Sequence, residues 1–202
     1  MVNKILLLCF IVIRKLGHFF QRFFNRSKLY YYYYISQQRF ILKSPIILGK
    51  RFSIKSDISN TSIYININCR IRDNFHIRMG HAGQLEIGEN CFFNNNCSIT
   101  CLGKIMIGSN NQFGEGVLMY DHNHAYSNKE KLIAEQGYTI GKIIIGNNCW
   151  IGSHVIILKD VEIGDNVIIG AGCIIHKSIS SNSVIYNEQS LVIKPTKIIT
   201  VK

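Results

Sequence analysis

Ile145-Gly-Asn-Asn-Cys-Trp150, Ile151-Gly-Ser-His-Val-Ile156, Ile157-Leu-Lys-Asp-Val-Glu162, Ile163-Gly-Asp-Asn-Val-Ile168, Ile169-Gly-Ala-Gly-Cys-Ile174 and Ile175-His-Lys-Ser-Ile-Ser180 follow one another without a gap. Isoleucine opens every six, glycine holds most second positions, and Cys, Val, Val, Val, Cys and Ile fill the fifth. Three columns that repeat in step are a period, not merely a richness in isoleucine. The fifth residue of one six and the first of the next stand two apart, as Val155 and Ile157 do, so on an extended backbone they point to the same side. Between these apolar pairs lie Gly146-Asn-Asn148, Gly164-Asp-Asn166 and Gly170-Ala-Gly172, residue types that accept left-handed or tight-turn dihedrals. Short strands with an unbroken apolar inner side, bent every six residues, predict an all-β parallel β-helix of hexapeptide repeats. Three sixes make a coil, and each coil is stable only when stacked on its neighbours.

The same columns run back toward the N-terminus through Ile107, Phe113 and Met119, through Ile87, Phe93 and Ile99, and through Ile65, Ile71 and Ile77. The phase slips at about 79–86 and 103–106, where small bulges are predicted. Residues from about 51 to 186 make roughly six coils, about 30 Å tall at about 4.8 Å per coil. After Met119 no inward apolar column returns until Ile145, so residues 120–142 are predicted to leave the wall as an excursion. Long loops on rigid scaffolds carry function. This one carries Asp121-His-Asn-His124. An imidazole titrates near neutrality and can take the proton of an attacking hydroxyl, with Asp121 or a backbone carbonyl fixing its tautomer, so His122 and His124 are candidate general bases. His-x-His is also a ligand pattern, with His76 or His81 as a third member. His154 and His176 fall in turns and read as solvent or interface residues.

Of 202 residues, positions 1–56 hold 11 Lys or Arg and no acid, whereas positions 57–202 hold 12 of each sign, so the net charge of +11 is assigned to the N-terminal part. The chain divides into a basic amphipathic segment, 1–50, and a β-helix domain, 51–202. Ile5 to Ile13 is apolar but far shorter than the roughly 20 residues of a membrane span, and no small-residue cleavage site follows. With Arg14, Lys15, Arg22 and Arg26 set among Leu and Phe, it reads as a helical stretch lying on a membrane surface through residues 1–28, or packed on the domain. No nucleic-acid-binding motif accompanies these cations, so no nucleic-acid partner is expected. Tyr30 to Tyr34 has no assigned role. Among seven cysteines, Cys69, Cys91, Cys97, Cys149 and Cys173 occupy the fifth position, and no Cys-x-x-Cys occurs. Reduced, buried thiols follow, and with them a cytoplasmic location, peripheral on the inner face of the cell membrane. No metal is expected.

Ile145-Gly-Asn-Asn-Cys-Trp150-Ile-Gly-Ser-His-Val-Ile-Ile157 fits the pattern IGxxxWIGxxVxI, and Asp121-His-Asn-His-Ala-Tyr126 with Gln136-Gly137 follows the loop pattern of one branch of a known family. Over about residues 57–186 the chain resembles the hexapeptide-repeat O-acetyltransferases. Within them it is similar to the branch of the galactoside and maltose acetyltransferases and to the bacterial capsule and O-antigen polysaccharide O-acetyltransferases. The resemblance implies a left-handed β-helix, a homotrimer with its sites between neighbouring prisms, and acetyl transfer from acetyl-coenzyme A to a saccharide hydroxyl. It places the base on His124, with His122 as the fallback and Asp121 beside them. Asn94 and Tyr126 fall at the acceptor, and Trp150, Ser153, Gly170, Ala171, His176 and Lys177 along the coenzyme A groove. Turn chemistry explains Gly170 and Gly172 equally well. An acidic acceptor contact of the galactoside branch falls near Leu102, where no carboxylate stands, which argues against a simple galactoside. The C-terminal Gly-Asn-Pro-Ala of many members is replaced by Asn187-Glu-Gln-Ser190, so no coenzyme contacts are carried over there. The rival readings are acetylation of an antibiotic hydroxyl, a metal site like that of the gamma-class carbonic anhydrases, and an inactive scaffold.

Overall fold

A computed structural model describes residues 39–56, 60–80, 82–188, 190 and 192–194. It is a three-sided parallel β-solenoid of six full coils and part of a seventh, in agreement with the left-handed β-helix that the resemblance implies. Face 1 stacks strands Phe40–Leu42, Ser62–Ile65, Gln84–Ile87, Lys104–Ile107, Lys142–Ile145 and Val161–Ile163. Face 2 stacks Ile47–Leu48, Arg70–Ile71, Phe92–Phe93, Gln112–Phe113, Trp150–Ile151, Ile168–Ile169 and Val184–Ile185. Face 3 stacks Ser53–Ser56, His76–Met79, Ser98–Cys101, Leu118–Tyr120, Ile156–Ile157 and Ile174–Ile175. The apolar columns meet on the axis, where a single cluster from Phe40 to Ile175 forms the core.

The turns explain the repeat. At the edge between faces 1 and 2 the third corner residue has positive φ in successive coils: Asn68, Asn90, Asn110, Asn148, Asn166 and Asn182. Asparagine tolerates this region better than other side chains do. Its amide also ties one coil to the next, with Asn68 Nδ2 donating to Asn90 Oδ1 at 3.2 Å and Asn148 Nδ2 to Asn166 Oδ1 at 2.8 Å. The fifth-position thiols serve the same edge from inside. Cys69, Cys91 and Cys149 donate to the carbonyls of Gly88, Gly108 and Gly164 in the following coil at 3.1, 3.1 and 3.2 Å. In the fourth coil this column holds Asn111, fully buried, whose Nδ2 donates to Gly108 O and Gly146 O and whose Oδ1 accepts from Cys149 N. An amide takes the place of a thiol there, which the apolar pattern did not announce.

The six described cysteines are buried and free. Burial pushes Cys97 up to about 11 and raises Cys149, and Cys101 is raised by burial and then by the Asp121 carboxylate beside it. A raised thiol pKa leaves the unreactive protonated form dominant at neutral pH. Because all six described thiols are buried, native protein at pH 8 is expected to leave them unreacted with a disulfide reagent, and denaturation to expose them. Two or more reactive thiols in the native state would contradict this packing.

Among the described residues the prism begins at Phe40, whose strand pairs with Ser62–Ile65, inside the stretch that the sequence divided off as residues 1–50. The first coil escaped the hexapeptide pattern because Phe40, Leu42, Leu48, Phe52 and Ile54 face inward there without the Ile-Gly signature. Arg39, Lys43, Lys50, Arg51 and Lys55 thus belong to the folded domain, and the basic charge is not confined to a tail. The amphipathic stretch 1–28 and Tyr30 to Tyr34 lie outside the described residues.

Corner lengths differ by edge. Four residues separate consecutive strands at every turn between faces 1 and 2, as from Ile65 to Arg70, and between faces 2 and 3, as from Ile71 to His76. Between faces 3 and 1 the connection is two residues from Cys101 to Lys104 and far longer from Tyr120 to Lys142. The phase slips and the excursion therefore all leave the prism along one edge.

Candidate active site

The excursion is an antiparallel ribbon, His122–His124 against Tyr138–Ile140, capped by a turn of 3-10 helix at Ile133–Glu135. Its root is Asp121, which is fully buried. Its carboxylate accepts from Leu102 N at 2.9 and 3.1 Å and from Gly103 N at 2.8 Å, two amides of the short connection one coil below. Charge-assisted bonds of this kind justify burying a carboxylate. A Cβ on Gly103 would come within 2.5 Å of Gly141 O and Ile140 Cγ2, so glycine is needed for the root to sit this close. Gly141 N donates to Asp121 O at 2.8 Å and closes the ribbon.

Residues two apart on a strand share a side, so both histidines lie on one side of the ribbon and bracket Tyr138. The His122 ring is edge-on to Tyr138 at 5.2 Å, and the His124 ring is tilted on it at 4.7 Å. His122 Nδ1 lies 3.2 Å from Asp121 Oδ1, and its side chain is 14% exposed. His124 is exposed, and among the described residues its imidazole has no hydrogen bond. Farther out, Gln136 holds the loop together: Nε2 donates to Asn128 O and Lys131 O, and Oε1 accepts from Asn128 N. Tyr126, Leu132 and Ile133 remain open to solvent at the tip.

The other sequence candidates occupy different places. Asn94 sits at the edge between faces 2 and 3, where its Oδ1 accepts from Arg72 at 3.2 Å. Ser153, Gly170 and Ala171 lie higher on the same edge, with Ser153 Oγ accepting from Glu115 N. Trp150 projects from face 2, 58% exposed. His176 and Lys177 turn the corner between faces 3 and 1, on the edge of the histidine ribbon and two coils above its root. One prism therefore splits the set over two edges. For the metal alternative, His76 lies on face 3 bonded to Ser53 Oγ at 2.7 Å, and His81 is outside the described residues. Among the described residues no three His, Cys, Asp or Glu side chains converge as ligands.

Sequence reasoning missed Tyr138, and it missed Leu102 and Gly103, which act through backbone N–H. The Tyr-Thr-Ile alternation of 138–140 was a readable strand signal.

Outward residues of face 3 change character at the level of the ribbon. Below it stand Ser53, Lys55, His76, Arg78, Ser98 and Thr100, the coil of its root carries Leu118 and Tyr120, and above it stand Ile156 and Ile174. A histidine pair thus overhangs the boundary between a polar and an aliphatic stretch of wall.

Comparison with known proteins finds the same repeat and fold elsewhere. Residues 142–177 match the model of the bacterial transferase hexapeptide (six repeats). The chain is 36% identical over 108 residues to a galactoside O-acetyltransferase of Escherichia coli K12, covering 54% of this chain and 52% of that one. It is 25% identical over 120 residues to a putative colanic acid biosynthesis acetyltransferase of the same organism, covering 58% of this chain and 62% of that one. The chain thus spans only about half to three-fifths of these relatives. Among solved structures, the polysialic acid O-acetyltransferase OatWY shares the fold with a TM-score of 0.60 at 20% identity, over 81% of this chain and 90% of that one. Residues 142–177 thus carry the hexapeptide repeat of bacterial transferases, and over about half its length the chain is similar to sugar O-acetyltransferases.

Proposed function

We propose that the protein transfers an acetyl group from acetyl-coenzyme A to a hydroxyl of a bacterial surface polysaccharide or its precursor. The observation that carries this reading is the rigidly rooted histidine ribbon overhanging the step from polar to aliphatic wall on face 3. Hydroxyls and cations below the ribbon suit a saccharide, and aliphatic side chains above it suit the pantetheine arm of the donor. Lys177, beside His176 at the top of the same edge, offers positive charge to the donor's phosphates. The relatives' activities supply independent support.

In the reaction His124 takes the proton of the acceptor hydroxyl as its oxygen attacks the thioester carbonyl carbon. The tetrahedral oxyanion is met by a backbone N–H. On collapse the C–S bond breaks, and the thiolate leaves with the proton that the imidazolium returns. Asp121 holds His122 and the ribbon root, and the Tyr138 ring between the two imidazoles sets the angle of His124.

Asn94, Ser153, Gly170 and Ala171 reach the ribbon only from a neighbouring copy, which favours a homotrimer with the tip residues Leu132 and Ile133 lying on the adjacent prism. Tyr126 would then contact the acceptor, and Trp150 the donor. A basic, apolar stretch at residues 1–28 would hold the cytoplasmic enzyme at the inner face of the membrane.

The test is release of coenzyme A thiol from acetyl-coenzyme A by purified protein, with and without oligosaccharide acceptors. Saccharide-dependent release with a stable O-acetyl product is expected. Failure to bind acetyl-coenzyme A in calorimetry would refute the reading.

A further inference from the structure

The lower half of face 3 has a feature that acetyl transfer to sugars in general does not require. Strand register places Lys55, Arg78, Thr100 and Tyr120 in one outward column, coil upon coil. Tyr120 ends it, with its ring 6.4 Å from that of His122. At about 4.8 Å per coil, Arg78 lies about 10 Å and Lys55 about 15 Å below Tyr120. Both cations are exposed, and neither forms an ion pair among the described residues. The contrast with face 1 is direct: Lys142 there is paired with Glu162 at 2.6 Å, and Glu86 shares the outer surface. No carboxylate points outward from the face 3 strands below the ribbon.

We propose that this column is an acceptor subsite that selects an acidic saccharide. Arg78 and Lys55 pair with carboxylates on sugar units that adjoin the unit under His124, and the Thr100 and Tyr120 hydroxyls bond the sugar between. A guanidinium fork matches a carboxylate bidentately, and a basic track without an ion pair among the described residues also attracts a polyanion from a distance. This assignment rests on the acetyltransferase reading but is tested without turnover.

Calorimetry on the full-length protein would compare oligogalacturonate and oligosialate with a neutral oligogalactan of equal length. Wild type is expected to bind at least one acidic oligomer about tenfold or more tightly than the neutral one, with a preference that shrinks as salt rises. Lys55→Gln and Arg78→Gln, both at outward strand positions, should each weaken acidic binding roughly tenfold and together about a hundredfold, the range for charge-assisted bonds. Neutral binding and the affinity for acetyl-coenzyme A should not move. Equal affinity for acidic and neutral oligomers, or acidic binding untouched in the double variant, would overturn the proposal. So would a double variant that keeps oligosaccharide binding but loses binding to phosphatidylglycerol vesicles, since the cations would then serve a membrane. If acidic oligomers bind as expected but no acetyl is transferred to any of them, the enzymatic reading fails while the charge preference stands. Transfer to neutral acceptors without acidic preference is the reverse case.

Discussion

Replacing His124 by alanine is expected to lower saccharide-dependent coenzyme A release by about two to four orders of magnitude, the range for loss of a general base. The circular dichroism spectrum should not change. The imidazole is exposed at the outer end of the His122–His124 strand, and its one described contact is with the Tyr138 ring. Removing it leaves no buried polar partner orphaned and opens no cavity in the prism, so the loss should fall on turnover rather than on folding. His122 is differently placed, held toward the Asp121 carboxylate and 14% exposed. Its replacement should loosen Tyr138 and cost less in turnover. Initial rates at saturating acetyl-coenzyme A and acceptor separate the two, and a larger loss for His122→Ala would move the base to that residue.

The largest expected effect on stability is at Phe93. Its ring is fully buried, stacks on Phe113 at 4.3 Å with the planes within 1°, and meets Phe75 edge-on at 5.0 Å. Phe52 continues the row beyond Phe75 at 6.1 Å. Phe93→Ala is expected to cost about 3–5 kcal/mol, the range for a truncated core aromatic, because the strands around it are hydrogen-bonded on both sides and cannot close onto the gap. In a solenoid each coil leans on its neighbours, so a hole in the third coil weakens the contacts of the second and fourth as well. Urea unfolding followed by far-ultraviolet circular dichroism gives the value, and a loss under about 1 kcal/mol would show that the row of rings is not what holds the lower coils together.

Coils with a fixed 18-residue step could be read from sequence, because the step keeps isoleucine, glycine and asparagine in phase; Ile143 pairs with Val161, 18 residues on. The lower coils were harder to read because Phe40 pairs with Ile63, 23 residues on, and Ile63 with Leu85, 22 on. A column whose step varies is invisible to a period search. The excursion was legible as a silence in the pattern, and Asp121-His-Asn-His124 as its chemistry. The partners of Asp121 were not, since backbone amides carry no sequence signature. Nor did spacing show that Asn94 and His124 stand on different edges of one prism, because edge assignment depends on summing the irregular corners between them.

The closure of the ribbon at its root, where Gly141 N donates to Asp121 O, bears on how such a protein can diversify. A loop whose two ends already touch can double in length for only about 0.6 kcal/mol of closure entropy. One residue added at either of the other two edges would instead turn an inward isoleucine to solvent and break the asparagine row. Mutation can therefore explore the histidine loop as an exchangeable cassette, its tip recombined for a new sugar or a new neighbour, while the coils beneath are inherited almost unaltered.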